Sequence, residues 1–161
     1  MITIRRAREA DFDSIWHIFR EVVEAGDSYV YDPQTTKAEA RAMWMAEAVA
    51  TYVACLGEKI VGTYILKPNQ PGLGSHVANA GYMVSSEASG QGVGRAMCEH
   101  SLAEARKAGF TAMQFNMVVS TNKAAVALWK KLGFSIVGTL PKAFQHKRLG
   151  LVDAYVMHRF L

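Results

Sequence analysis

Residues Met83 to Met97 read Met-Val-Ser-Ser-Glu-Ala-Ser-Gly-Gln-Gly-Val-Gly-Arg-Ala-Met, with three alternate glycines between a strand-like run and a helical pattern. Upstream, Ala78 to Val84 is apolar. Downstream, Val93, Met97, Leu102 and Ala105 recur at the spacing of one buried helix face. Alternate glycines let consecutive backbone N–H groups turn inward with no Cβ in the way, and a helix N-terminus adds partial positive charge. Such a cradle suits a phosphate and, because several amides converge, a diphosphate. A plain flexible turn is the competing reading.

Two familiar phosphate loops do not fit. Gly-x-Gly-x-x-Gly, the dinucleotide fingerprint, fails because its third glycine falls on Met97 counted from Gly92 and on Arg95 counted from Gly90. A nucleoside triphosphate loop needs Gly-Lys-Ser/Thr, and here Arg95 and Ala96 follow Gly94. Net charge is only +4 over 161 residues, enough to favour an anionic ligand but without the dense basic blocks of nucleic-acid binders. No apolar run nears the roughly 18 residues of a membrane span, and Met1 to Arg5 has no signal-peptide core. The expectation is one cytoplasmic domain over residues 1–161, with neither nucleic acid nor membrane as partner. The two cysteines, Cys55 and Cys98, sit in apolar patterns and read as core. The five histidines are scattered, so no metal set is read.

In chain order, Ile2 to Arg6 alternates as an edge strand. Asp11 is placed to cap a helix through Phe12, Ile15, Phe19, Val22 and Val23 that stops at Gly26. Asp27 to Pro33 is a loop whose Tyr29 and Tyr31 either cover a pocket or pin the loop down. Thr35 or Thr36 caps a second helix running through Met43, Trp44 and Ala48. Thr51 to Leu56 and Lys59 to Lys67 form a hairpin about Gly57-Glu58, and Pro68 to Ser75 is a loop. After the glycine turn and its helix, Met113 to Val119 is a strand. Asn122 then caps a short helix (Ala124, Ala125, Leu128, Trp129, Leu132) ending at Gly133-Phe134, and closing strands lie near Phe134 to Gly138 and Val152 to Phe160.

Two blocks together resemble a known family. The pantetheine-pyrophosphate loop of the GCN5-related N-acetyltransferases is written Arg/Gln-x-x-Gly-x-Gly/Ala. Here Gly92 and Gly94 match, with Ser89 at the first position. The family's Asn-x-x-Ala…Leu-Tyr-x-x-Leu-Gly-Phe is similar to Asn122-Lys123-Ala124-Ala125…Leu128-Trp129-Lys130-Lys131-Leu132-Gly133-Phe134. The resemblance covers essentially the whole chain. It implies an α/β fold with a mixed, largely antiparallel sheet of about seven strands, splayed centrally, with helices on both faces. It also implies acetyl-CoA as donor, backbone amides at Met83 and Val84 on the pantetheine arm and its carbonyl, and a cofactor site over Ser89, Gly90, Gln91, Gly92, Val93, Gly94, Arg95, Asn122, Ala125 and Trp129.

More narrowly, Asn79-Ala80-Gly81-Tyr82, Phe115-Asn116-Met117-Val118 and Ile136 to Ala143 resemble fungal acetyltransferases of proline analogues. The Ser28-Tyr29 and Trp44 regions look like the phosphinothricin and methionine-sulfoximine group. Both point to a small amino-acid-like amine, with Tyr29, Tyr31 and Asn79 against it. Acetylation of a protein or peptide and a non-catalytic acyl-CoA sensor are the alternatives, and a homodimer stays open. Candidates for taking the amine's proton are Tyr82 and a water held near Asn79 or Asn116. Asn116 is either the residue touching the acceptor or a buried amide satisfying a backbone group. Trp129 replaces a tyrosine thought to protonate the leaving thiolate, and an indole N–H is too weak an acid for that. Trp129 therefore reads as packing.

Overall fold

Seven stretches with alternating or continuously apolar character pair as strands: β1 (Ile2–Arg6), β2 (Ala50–Leu56), β3 (Lys59–Pro68), β4 (Val77–Val84), β5 (Ala112–Val119), β6 (Ser135–His146) and β7 (Gly150–Phe160). Four stretches of helical period form α1 (Phe12–Ala25), α2 (Lys37–Trp44), α3 (Val93–Lys107) and α4 (Lys123–Lys131). The computed structural model describes residues 1–161. Its sheet has the order β1-β2-β3-β4-β5-β7-β6. Every pairing is antiparallel except β4 with β5, which run parallel and meet only at Val77↔Ala112 and Ala78↔Met113. Beyond those two pairs they diverge, so the splay lies at the sheet's centre.

Each face carries its own core. On one side α1 and α2 bury Ile15, Phe19, Val23 and Trp44 against Val53, Ile65 and Met83. On the other, Val93, Met97, Cys98, Leu102 and Ala105 of α3 cover Tyr64, Tyr82 and Phe115. Cys55 and Cys98 are free and buried in opposite faces. Gly62 shows how closely α3 sits on β3, since a Cβ there would lie 2.9 Å from Val93 Cγ1 and 3.0 Å from Met97 Cε.

Caps follow the sequence in part. Thr36 and Glu39 close a reciprocal box at the start of α2, and Asn122 Oδ1 accepts from the Ala125 N–H (3.3 Å) at the start of α4. Asp11 does not cap α1. Its carboxylate turns back to the Arg8 N–H (2.7 Å) and the Arg5 guanidinium (2.7 and 2.9 Å), and that guanidinium holds it below the usual carboxylate range. α2 stops at Trp44, short of Ala48, because the Trp44 indole is committed to Thr63 Oγ1 (3.0 Å) in the core and its carbonyl to the Thr51 hydroxyl. β6 runs on past Gly138 to His146, and β7 begins at Gly150. Pro141 is tolerated beyond the expected end at Gly138 because β6 is the sheet's edge, where a missing N–H costs no ladder bond, and the register shift between Leu140 and Phe144 absorbs it with Lys142 at φ 50°.

Candidate active site

Divergence of β4 from β5 dictates where backbone groups are free. In antiparallel pairing, N–H and C=O groups point alternately toward and away from the partner strand. The Ser85 N–H donates to the Val61 carbonyl (2.9 Å), and the register runs through Thr63↔Met83. Met83 therefore spends its amide on β3, while Tyr82 and Val84 turn theirs to the divergence. The expectation of a Met83 amide on the donor is corrected accordingly. The residue is 1% exposed, its side chain in the α1/α2 core.

At Tyr82 the divergence is met by a side chain from another part of the fold. Tyr29 Oη accepts from the Tyr82 N–H (2.6 Å) and donates to the Tyr82 carbonyl (2.7 Å). The Tyr29 ring stacks on Tyr31 (6.0 Å, 15°), which meets Phe19 (5.1 Å) and Trp44 (6.3 Å). Burial pushes both phenols up, so they stay protonated. The two readings of this loop are not exclusive: the tyrosines pin it to the core and line the cleft described below.

The glycine turn leaves β4 through a short 3-10 turn, Ser86–Ala88. Gly90 (φ 75°) and Gly92 (φ 81°) take left-handed conformations that residues with a Cβ rarely adopt, and a Cβ on either would point into open space. No intramolecular bond engages the N–H groups of Gly92, Val93, Gly94 and Arg95, and the first helical amide to find a carbonyl is that of Ala96, on Gly92 (3.0 Å). These four donors at the start of a 15-residue helix make the anion cradle, and they fit a diphosphate. Side chains in the turn are occupied elsewhere. Gln91 Nε2 donates to the Glu87 carbonyl (3.0 Å), Arg95 pairs with Glu99 (2.9 Å), Lys59 pairs with Glu87, and Val93 is buried. Gly94, with ordinary φ, faces Val84 and Leu128, each 3.9 Å from its Cβ position.

A cleft of about 760 Å³ runs along the divergence. Tyr29, Tyr31, Asn79, Tyr82, Met83, Val84, Ser89, Asn116, Asn122, Ala125 and Trp129 line it, whereas Gly90 to Arg95 lie outside its lining. Half-buried Trp129 packs against Tyr82 (5.2 Å) and Phe115 (5.1 Å), closing the gap on the α3/α4 side. No hydroxyl stands where the family's tyrosine would.

Tyr82 does not supply a base. Its hydroxyl is buried on the α3 side, bonded to Ser101 Oγ (2.6 Å) with Met113 Sδ at 3.7 Å, and burial pushes its pKa well above the ordinary phenol value. Only its backbone belongs to the cleft's chemistry. Asn116 is exposed, which removes the buried-amide reading. Strand alternation would put it opposite Met117, but the β5–β7 register shifts between Phe115 and Val118, and Asn116 and Met117 both line the cleft. An amide chain fixes it: Asn79 Nδ2 donates to the Gln114 carbonyl (2.9 Å), Gln114 Nε2 to Asn116 Oδ1 (2.9 Å), and Asn116 Nδ2 to Asn69 Oδ1 (2.7 Å).

Further lining residues escaped the sequence reading: Glu21, Asp27, Lys67, His146 and Arg148. His146 Nδ1 accepts from the Arg148 and Leu149 amides (3.1 and 3.2 Å), which shapes the β6–β7 tip. That tip docks on the end of α1. The Lys147 N–H donates to the Gly26 carbonyl (2.9 Å), and Lys147 Nζ to the Glu24 carbonyl (3.0 Å). Tip and Tyr29 loop together wall one end of the cleft. Nothing local in the sequence signals a contact across 123 residues.

The architecture has counterparts among known proteins. A solved GCN5-related N-acetyltransferase from Kribbella flavida is 45% identical, superposes with a TM-score of 0.96, and matches 99% of this chain and 98% of its own. A ribosomal-protein-alanine N-acetyltransferase from Brucella melitensis is 27% identical (TM-score 0.85, 99% of each chain). The N-acetyltransferase aca1 of Schizosaccharomyces pombe is 28% identical over 92% of this chain and 79% of its own length. A phosphinothricin acetyltransferase from Sinorhizobium meliloti, solved with AcCoA, shares the fold at 23% identity (TM-score 0.88, 99% and 88%). Residues 12–134 match the acetyltransferase (GNAT) family model, and the chain belongs to that family.

Proposed function

We propose that this acetyltransferase is a single cytoplasmic domain over residues 1–161 that moves the acetyl group of acetyl-CoA to the amino group of a small metabolite or amino-acid analogue. One observation carries the reading: a single cleft joins the diverging β4 edge beside the cradle to an end walled by Tyr29, Tyr31 and the docked β6–β7 tip. A walled end suits a small acceptor better than a polypeptide.

Each part then has a role. Amides of Gly92 to Arg95 hold the diphosphate, and the Val84 backbone aligns the pantetheine arm. The Tyr82 N–H faces the thioester carbonyl oxygen, where preorganised donors contribute most to such reactions. Asn116, fixed by Asn69 and Gln114, orients the acceptor or a water that takes the amine's proton. Holding amine and thioester side by side contributes further through effective molarity. A free thiol has a pKa of about 8.5, so the thiolate leaves without a dedicated acid, in keeping with Trp129.

Kinship with the ribosomal-protein-alanine enzyme favours a peptide N-terminus as the second reading. Thiol release from acetyl-CoA across a panel of amino acids, small amines and N-terminal peptides decides. Turnover confined to small amines supports the proposal, turnover confined to peptides replaces it with the second reading, and binding of acetyl-CoA with no thiol release anywhere would mark a sensor.

A further inference from the structure

The paired bonds between Tyr29 and Tyr82 assign a function to a side chain that the proposed reaction leaves without one. Tyr82 is the first divergence-facing residue of β4 before Val84, so its N–H and C=O lack a strand partner, and buried backbone groups without partners are costly. Tyr29 answers both with one atom, accepting at 2.6 Å and donating at 2.7 Å. Fastening a loop would need only one of these bonds. Meeting both puts the phenol oxygen where an acceptor of the Tyr82 N–H belongs, with its own hydrogen beside it. The stack on Tyr31, itself against Phe19 and Trp44, holds the ring at this edge.

We propose that Tyr29 is a catalytic residue: its O–H is the second donor, with the Tyr82 N–H, to the carbonyl oxygen of the thioester. This rests on the acetyl-CoA reading above. An oxygen arriving at the Tyr82 N–H takes over the acceptor position of the phenol, whose hydrogen turns to the newcomer, while the Tyr82 carbonyl passes to an amide N–H of the incoming pantetheine arm. The amine nitrogen adds to the carbonyl carbon while the C=O π pair moves onto oxygen, where two donors meet the charge. The pair then returns as the C–S bond breaks. Coenzyme A leaves as thiolate, takes up the proton shed by the amine, and departs as thiol. Burial keeps Tyr29 protonated, as a donor must be.

The test is Tyr29→Phe, which keeps the ring and removes the hydroxyl. Acetyl-CoA labelled with ¹³C at the carbonyl is bound to each full-length protein, and the carbonyl stretch is read by isotope-edited infrared spectroscopy, which needs no acceptor. The stretch is expected at lower frequency in the wild type than in Tyr29→Phe. With an amine from the panel, kcat should fall about 10²-fold while KM for acetyl-CoA stays within about threefold, as for loss of one oxyanion donor. Equal frequencies in two proteins that both bind the label would overturn the role and leave the donor assignment standing. Label bound by neither would overturn both. If Tyr29→Phe does not fold, 3,5-difluorotyrosine at position 29, a more acidic donor, should lower the frequency further, and no change would equally overturn the role.

Discussion

The cradle and the far end of the cleft are built from different materials. The cradle end is backbone: a strand edge, a glycine turn and a helix start within the contiguous stretch Val77 to Lys107, with side chains such as Gln91 and Arg95 bonded elsewhere. On the proposed reading, the acceptor end is side chains gathered from distant segments: Tyr31 before the sheet is complete, Asn116 in β5, and His146 and Arg148 at the β6–β7 tip. Backbone amides recognise a diphosphate that every member of such a family can share. Side chains can change one by one without disturbing the cradle. Under the proposed function, the contrast places affinity for the donor at one end and choice of acceptor at the other.

Substitution at Asn116 should separate the two ends most sharply. Asn116→Ala removes an amide that Asn69 and Gln114 hold in place, and kcat/KM for the acceptor should fall by roughly one to three orders of magnitude, or about 1.5–4 kcal/mol of transition-state stabilisation. Acetyl-CoA affinity, read by calorimetry, should hardly move. Normal turnover with a lowered melting temperature would instead assign the amide chain to the fold.

The reciprocal change is Gly92→Val. At φ 81° a β-branched residue is strained by about 1–3 kcal/mol, and relaxing that strain swings the α3 amides out of line. Acetyl-CoA affinity should weaken by about 5- to 150-fold. The acceptor's KM at saturating donor should stay near the wild-type value. Undiminished donor affinity in the folded variant would mean that the turn does not hold the diphosphate.

These two ends also differ in how far they could be read in advance. The cradle is local, so strand period, turn glycines and helix period all show in one stretch, and the Asn122 cap is equally local to α4. The splay was legible only through family likeness, because nothing in Ala78 to Val84 says that its neighbour departs after two residue pairs. Tyr82 was misassigned because alternation predicts two faces but does not say which one holds the site. Its hydroxyl went to Ser101 and its backbone to the cleft. Asn116 lines the cleft on the same side as Met117, since a bulge between Phe115 and Val118 adds a residue that alternation cannot count. His146 and Arg148 belong to a hairpin that runs on past the expected strand end at Gly138, and whose tip is placed by Gly26 and Glu24.

Trp129 lies between the ends, and its replacement should disturb both slightly. Trp129→Phe keeps an aromatic ring against Tyr82 and Phe115, so kcat should fall only a few-fold at saturating acetyl-CoA, with a stability loss of about 1 kcal/mol from lost contact area. A loss of several orders in the chemical step, with binding intact, would make the indole N–H part of the reaction and would break the division between a backbone-built donor end and a side-chain-built acceptor end.

The smallest effect is expected from adding a side chain to the backbone end. Ser89 is exposed, lines the cleft, and stands where the family pattern has Arg or Gln. Its amide is already bonded to the Ser86 carbonyl (3.1 Å), so the turn's course does not depend on the side chain and Ser89→Arg should fold unchanged. An arginine there would bring a cation toward the diphosphate, but from a solvated position. Exposed ion pairs are worth about 0.2–1 kcal/mol and weaken with salt. Acetyl-CoA should therefore bind about two- to fivefold tighter at low ionic strength, with the gain fading by about 0.5 M salt as the screening length drops below the reach of the pair. Acceptor selectivity across the amine panel should not change at all. A gain that persisted in high salt would mean that the arginine is buried on binding and that the turn closes over its guest. A shift in acceptor selectivity would show that the two ends are coupled through the bound donor, which the division of labour between backbone and side chains forbids.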